Sequence, residues 1–159
     1  MRTTLTTDCW VLHLNGGYTL AISIYQVAEL INNTPRLSIP QAPAHCCYLI
    51  SWRNKLIPLV DYQTNSSSPD SDNIMIVKFS GDDESILHLA FAVTSVEKHS
   101  VNDSDFSNLF STPQHQSKLP FWSSVISAFQ SNGRASECGS KSESKKTTYI
   151  IDMKHLYAS

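Results

Sequence analysis

Along this chain apolar residues recur in short runs with a period of two, broken by clusters of Gly, Asn, Asp and Ser. That period belongs to strands, because successive side chains of an extended chain point to opposite faces. Trp10–Leu14 predicts a short strand, Asn15-Gly16-Gly17 a tight turn, and Tyr18–Tyr25 a half-buried second strand. In the latter Tyr18, Leu20, Ile22 and Ile24 share one face and Thr19, Ala21 and Ser23 the other. Val27–Ile31 is short for a helix, yet Val27, Leu30 and Ile31 share one face at helical spacing, with Glu29 displayed outward. Asn32-Asn33-Thr34-Pro35 ends that segment, since the residue before a proline is pushed out of the helical region. Leu37–Ile39 is short and extended, and Pro40 and Pro43 bracket a bend.

A central hairpin follows. Cys47–Trp52 predicts an apolar strand, Arg53, Asn54 and Lys55 a polar turn, and Leu56–Val60 a return strand stopped by Pro58 and Asp61. Residues 63–73 are Ser-, Asp- and Asn-rich and read as an exposed inter-strand loop. Ile74–Phe79, a turn at Gly81-Asp82-Asp83 and Ile86–Val93 make the next hairpin, and Thr94–His99 continues as strand after a kink. Asp103–Phe110 has room for one or two helical turns behind an Asp or Ser cap, and Ser111–Leu119 is polar loop. Phe121–Gln130 and Thr147–Asp152 predict two last strands around residues 131–146, a mobile hairpin insertion without a hydrophobic run; Met153–Tyr157 closes as a short helix. Many short strands at near-regular spacing indicate an all-β fold, a sandwich or a pair of barrels. A repeated rhythm of hairpin, short helix and hairpin suggests two small lobes.

Composition narrows the class. The 159 residues suffice for one domain or two small lobes sharing a core, and with 41% hydrophobic and 16% charged residues the chain is globular. A formal charge of -2 supplies neither the basic face that nucleic acid requires nor attraction to an anionic membrane. No apolar run is long enough to span a bilayer, and the first residues lack the core of a signal peptide, so the expectation is a cytoplasmic protein without membrane insertion. Adjacent Cys46 and Cys47 point to opposite faces of a strand and are poorly placed to chelate one metal. Buried, inert thiols are the favoured reading.

No enzyme signature stands out. The six histidines never pair at i, i+4 with a second ligand, and HExxH, GxSxG, GxGxxG and Walker glycine loops are absent. The acids at 82–84 lack the ligand spacing of a calcium loop. The expectation is a non-catalytic binding protein with no cofactor or metal. Arg53 stands out at the hairpin tip, because a guanidinium offers five donors in a planar fork to a carboxylate or carbonyl.

The motifs in their order resemble the CheW-like domain, the adaptor of bacterial chemosensory arrays. Val27-Ala28-Glu29-Leu30 resembles the family's V-x-E-I segment, and Ile39-Pro40-Gln41-Ala42-Pro43 its I-x-x-A/x-P. Ser51–Asp61, SWRNKLIPLVD, matches N-L-R-G-x-x-x-P-V-V-D without a gap, and Tyr149–Leu156 resembles the terminal L-V-D-x-x-x-L strand. The resemblance covers residues 8–157 as a single domain of two intertwined lobes. It implies two SH3-like five-stranded β-barrels side by side, binding the regulatory domain of a CheA-type histidine kinase and the tip of a methyl-accepting chemoreceptor at membrane-associated arrays. Carried over, the receptor-facing residues are Val27, Glu29 and Arg53. Tyr48 joins them as a candidate contact, because it stands where the family usually has glycine and could fill part of the groove. Asn54 replaces the glycine after the Arg, and the 131–146 insertion is long. These departures suggest a divergent member, serving a pilus-type or other non-flagellar system. The rival expectation is a small-ligand or nucleic-acid-binding SH3/OB-like barrel, since such lobes host both roles.

Overall fold

The computed structural model describes residues 5–62, 72–106, 122–132 and 145–158. Ten strands run in chain order as β1 (Thr6–Leu14), β2 (Thr19–Ser23), β3 (Val27–Ile31), β4 (Arg36–Ser38), β5 (Tyr48–Trp52), β6 (Lys55–Val60), β7 (Ile74–Ser80), β8 (Ile86–Asn102), β9 (Val125–Asn132) and β10 (Lys145–Ile151), before a short helix α1 (Met153–Ala158). All of Ser111–Leu119, and most of the two insertions expected at 63–73 and 131–146, lies outside the described residues; at the latter, β9 and β10 extend into both ends.

One strand belongs to two lobes. β8 is 17 residues long. Its first half pairs antiparallel with β7, from Ile86 opposite Ser80 to Ala92 opposite Ile74, and meets β6 in parallel at Ala90 and Phe91. From Val93 onward it pairs with β1 instead, ending with Asn102 opposite Thr6. One lobe therefore runs β8-β1-β2-β10-β9, and a bridge between Phe106 and Phe129 brings its two ends together. The other runs β4-β5-β6-β8-β7-β3, with the three-residue β4 as an edge. The all-β, two-lobed SH3-like expectation is met, and the β6–β8 and β2–β10 pairs add a parallel element that hairpin reasoning did not contain.

Packing explains why the alternation is apolar on both phases. In β1 and β2, Leu12, Leu14, Leu20 and Ile22 face a core shared by the lobes, together with Met75, Val77, Leu89, Phe91 and Leu156. Val11 and Ala21, on the opposite phase, face the first lobe's interior beside Cys9, Val101 and Phe129. β8 repeats the device: Leu89, Phe91 and Val93 point to the shared core, Ala90 and Ala92 to the second lobe's interior with Ile50, Ile57, Leu59, Ile74 and Ile76. Thus β2, expected to be half-buried, is buried at four of its five positions.

Local differences have physical reasons. Val27–Ile31 is a strand rather than a helical turn, because it pairs with β7 from Val27 opposite Val77 to Ile31 opposite Ile74. A bulge between Val27 and Glu29 shifts the alternation there. Pro58 lies inside β6, opposite Leu49, instead of stopping it. Counting hydrogen-bonded and non-hydrogen-bonded pairs from the Trp52–Lys55 pair at the turn puts Leu49–Pro58 in a non-hydrogen-bonded pair, where the missing N–H costs that ladder nothing. Trp122–Ser124 forms a 3-10 turn before β9, and Asp103–Asp105 forms another. Cys46 ends a third such turn and, like Cys47, is half-buried rather than buried in a strand. Burial pushes the Cys46 and Cys9 thiols up, away from reactive thiolate character.

Candidate functional site

The β5–β6 hairpin turns on only two residues, and such a turn requires positive φ at both. Arg53 has φ 47° and Asn54 has φ 63°. Asparagine tolerates this region and arginine seldom visits it, so the Arg53 conformation is imposed by its surroundings. Its guanidinium lies over the Trp52 ring at 4.7 Å and donates to Glu29 Oε2 at 3.1 Å. Trp52 Nε1–H donates to the same oxygen at 2.8 Å. The ring also meets His88, with centroids 5.0 Å apart. Glu29 on β3 thereby ties the hairpin tip to the far end of the same lobe.

The strand phases say where this cluster sits. Trp52, Lys55, His88 and Lys78 continue the inward-facing positions of Ile50, Ile57, Ala90 and Ile76 beyond the end of the apolar interior. Trp52 thus caps one end of the second lobe, with cations around it. Arg53 and Glu29 have side chains 69% and 40% exposed, so their ion pair contributes little to stability and stays accessible.

Burial first, then the positive charges of Lys55, Lys78 and Arg53, hold the His88 imidazole below its ordinary value. The nearby carboxylate is Glu29, across Trp52. As pH falls, the unfolded chain takes up this proton before the folded one, so stability is complete above about pH 6.5 and declines below it. Thermal midpoints are expected to drop between about pH 7 and 5, and to drop less steeply in His88→Gln. Equal slopes in the two proteins would rule His88 out as the cause.

The four residues singled out from the sequence do not form one cluster. Glu29 and Arg53 meet. Val27 is half-buried against the shared core. Tyr48 stands at the opposite end of β5, about 13 Å along the strand from Trp52. It packs against the second lobe's interior, with the Arg36 guanidinium 5.9 Å from its ring centre. Trp52 and His88 were missed; their signal was the phase they share with Ile50 and Ala90.

A second polar cluster joins the lobes. Asp61, just after β6, accepts from Arg36 on β4 at 2.8 Å and from Asn15 in the β1–β2 turn at 3.1 Å. The Arg36 and Asp61 side chains are only 17% and 9% exposed. Among the described residues no group of three His, Cys, Asp or Glu side chains is placed to hold a metal ion, and no helix is long and apolar enough to cross a membrane.

The comparisons agree with this architecture. The fold is similar to the crystal structure of the scaffolding protein TtCheW from Thermoanaerobacter tengcongensis, with a TM-score of 0.64 and 20% identity over 98% of this chain and 94% of that one. A search of curated proteins gave no match. The family model of the CheW-like domain matches residues 9–120, which take in most of β1, all of β2, the whole second lobe and the shared strand β8. With that match over most of its length, the chain belongs to the CheW-like domain family.

Proposed function

We propose that this protein is a non-catalytic chemosensory adaptor that couples methyl-accepting chemoreceptors to a CheA-type histidine kinase, at receptor arrays in the cytoplasm. The observation that carries the reading is the Glu29–Trp52–Arg53 cluster, displayed at the hairpin tip of a CheW-like fold. Arg53 is held on an aromatic face by a constrained turn, so a partner that accepts its free N–H donors loses little side-chain entropy in fixing it. Glu29 orients that fork and offers its own exposed oxygen surface to a donor on the receptor. Val27 supports β3 from beneath. Tyr48, by its place on β5, supports the second lobe rather than the receptor contact. The departures at Tyr48 and Asn54 suit a divergent member in a pilus-type or other non-flagellar system.

The test is charge reversal. Arg53→Glu places a carboxylate beside Glu29 and is expected to weaken binding of a receptor-tip fragment by about 30-fold or more, measured by titration calorimetry. Binding of the kinase regulatory domain is expected to stay unchanged, because the exposed ion pair contributes little to the fold. Wild-type affinity of the variant for the receptor fragment would remove Arg53 from the contact.

A further inference from the structure

Lys55 and Lys78 have no assigned role, and neither has a carboxylate partner among the described residues. Lys55 stands opposite Trp52 across the hairpin, and Lys78 stands opposite His88 across β7 and β8. Directly opposite residues of an antiparallel pair project on one side of the sheet. The Trp52–His88 contact therefore brings both lysines to the same rim as Arg53. Three fixed cations thus crowd one end of a lobe in a chain whose formal charge is -2. The local carboxylate, Glu29, is already shared between Trp52 and Arg53. After burial, the charges of these same three cations lower the His88 pKa.

An apolar margin adjoins this rim. Leu59 stands opposite Ala90 in the parallel β6–β8 pair, and running that register back brings Lys55 level with Ile86, which is 64% exposed. Among the described residues only Arg53 of the three is ion-paired, and the like charge left on the two lysines reduces stability unless an external anion offsets it. Nucleic acid fits poorly: the cations occupy one lobe end, and the remainder of the chain is acidic. A protein segment that alternates carboxylates with apolar side chains fits the cations, the Trp52 face and Ile86 together.

We propose that the Trp52-capped end of the second lobe is a docking surface for a carboxylate-rich protein segment, with Lys55 and Lys78 as its charge-reading residues. The surface adjoins Trp52 and Arg53 of the proposed receptor contact, so the inference deepens that reading, and Lys55 and Lys78, which lie outside that contact, make the two separable.

The probe is a fluorescein-labelled glutamate–leucine peptide of about 15 residues, compared with a single-stranded DNA oligonucleotide of equal charge, at about 25 and 300 mM salt. The peptide is expected to bind the full chain at low salt and to weaken at high salt. The double variant Lys55→Gln/Lys78→Gln is expected to lose about ten-fold or more in affinity with an unchanged circular dichroism spectrum. Both lysines are exposed, so the neutral replacements preserve the fold, and the single variants show each residue's share. No peptide binding by the wild type, equal binding by the double variant, or tighter binding of the oligonucleotide would each overturn the proposal. An effect of the lysine variants alongside unchanged receptor-fragment binding in Arg53→Glu would keep this surface and reject the receptor contact.

Discussion

Replacing Asp61 by alanine is expected to lower the unfolding free energy by about 3–5 kcal/mol, one of the two largest effects of a single substitution foreseen here. The carboxylate sits between a guanidinium and a side-chain amide that come from different lobes. Without it, Arg36 keeps its charge in a site where its side chain is only 17% exposed. Removing one member of a well-buried pair costs about 3–5 kcal/mol, and the residual exposure of Arg36 moderates that figure. Asn15 adds to it: it is 3% exposed, its Oδ1 has no hydrogen-bond partner among the described residues, and its Nδ2 donates to Asp61. A newly orphaned buried donor costs about 1–3 kcal/mol. Urea denaturation gives the measurement, with the slope checked for constancy. The double variant Arg36→Met/Asp61→Leu is expected to regain much of the loss, since apolar packing often replaces a buried ion pair at no net cost. A loss below about 1 kcal/mol in Asp61→Ala would show that the cluster is not a clamp.

Gly16→Ala is expected to cost about 2–5 kcal/mol, while Gly17→Ala, one residue on, costs about 1–2. Both glycines have left-handed φ, 84° and 85°, so both substitutions bear the same backbone strain. They differ in space. A Cβ on Gly16 would stand 2.5 Å from the Tyr62 carbonyl oxygen, and one on Gly17 meets nothing within 4 Å among the described residues. The obstructing atom is backbone, and Tyr62 is 5% exposed in the shared core, so the collision is relieved only by moving the lobes apart. Thermal unfolding of the two variants side by side separates collision from strain. Equal midpoints would mean that the turn yields.

How much of this was legible depended on whether information was local. The hairpins at Asn15–Gly17 and Arg53–Asn54 were readable because turn chemistry is written in adjacent residues. Val27–Ile31 was ambiguous because apolar residues on a bulged strand imitate helical spacing, and pairing with the distant Ile74–Val77 decided the matter. The double burial of β2 was hidden for a similar reason. Its small residues, Thr19 and Ala21, look like a solvent face, yet both are buried, and Ala21 packs with Phe129 and Ile150 from the far strands β9 and β10. At the candidate site, Arg53 was visible as a cation at a hairpin tip and Glu29 as an outward-facing acid, and motif resemblance joined them as one site. Trp52 and His88, which physically connect that site to the lobe, are joined across strands of unrelated sequence position. Tyr48, an unusual residue inside a motif, packs against the second lobe's interior, a contact that its place in the motif does not announce.

The two lobes also differ in when their parts exist. The first lobe takes β1 and β2 from the start of the chain and β9 and β10 from its end, whereas the second is made from the stretch between, up to the first half of β8. A chain emerging from the ribosome therefore holds every strand of the second lobe while the first still lacks two of its five. Through that interval Val11 and Ala21 have no Phe129 to cover them, and the first hairpin is an uncovered apolar surface. Its other face, Leu12, Leu14, Leu20 and Ile22, already has the second lobe to rest on. The later-finished lobe is thus assembled against the earlier one as its template.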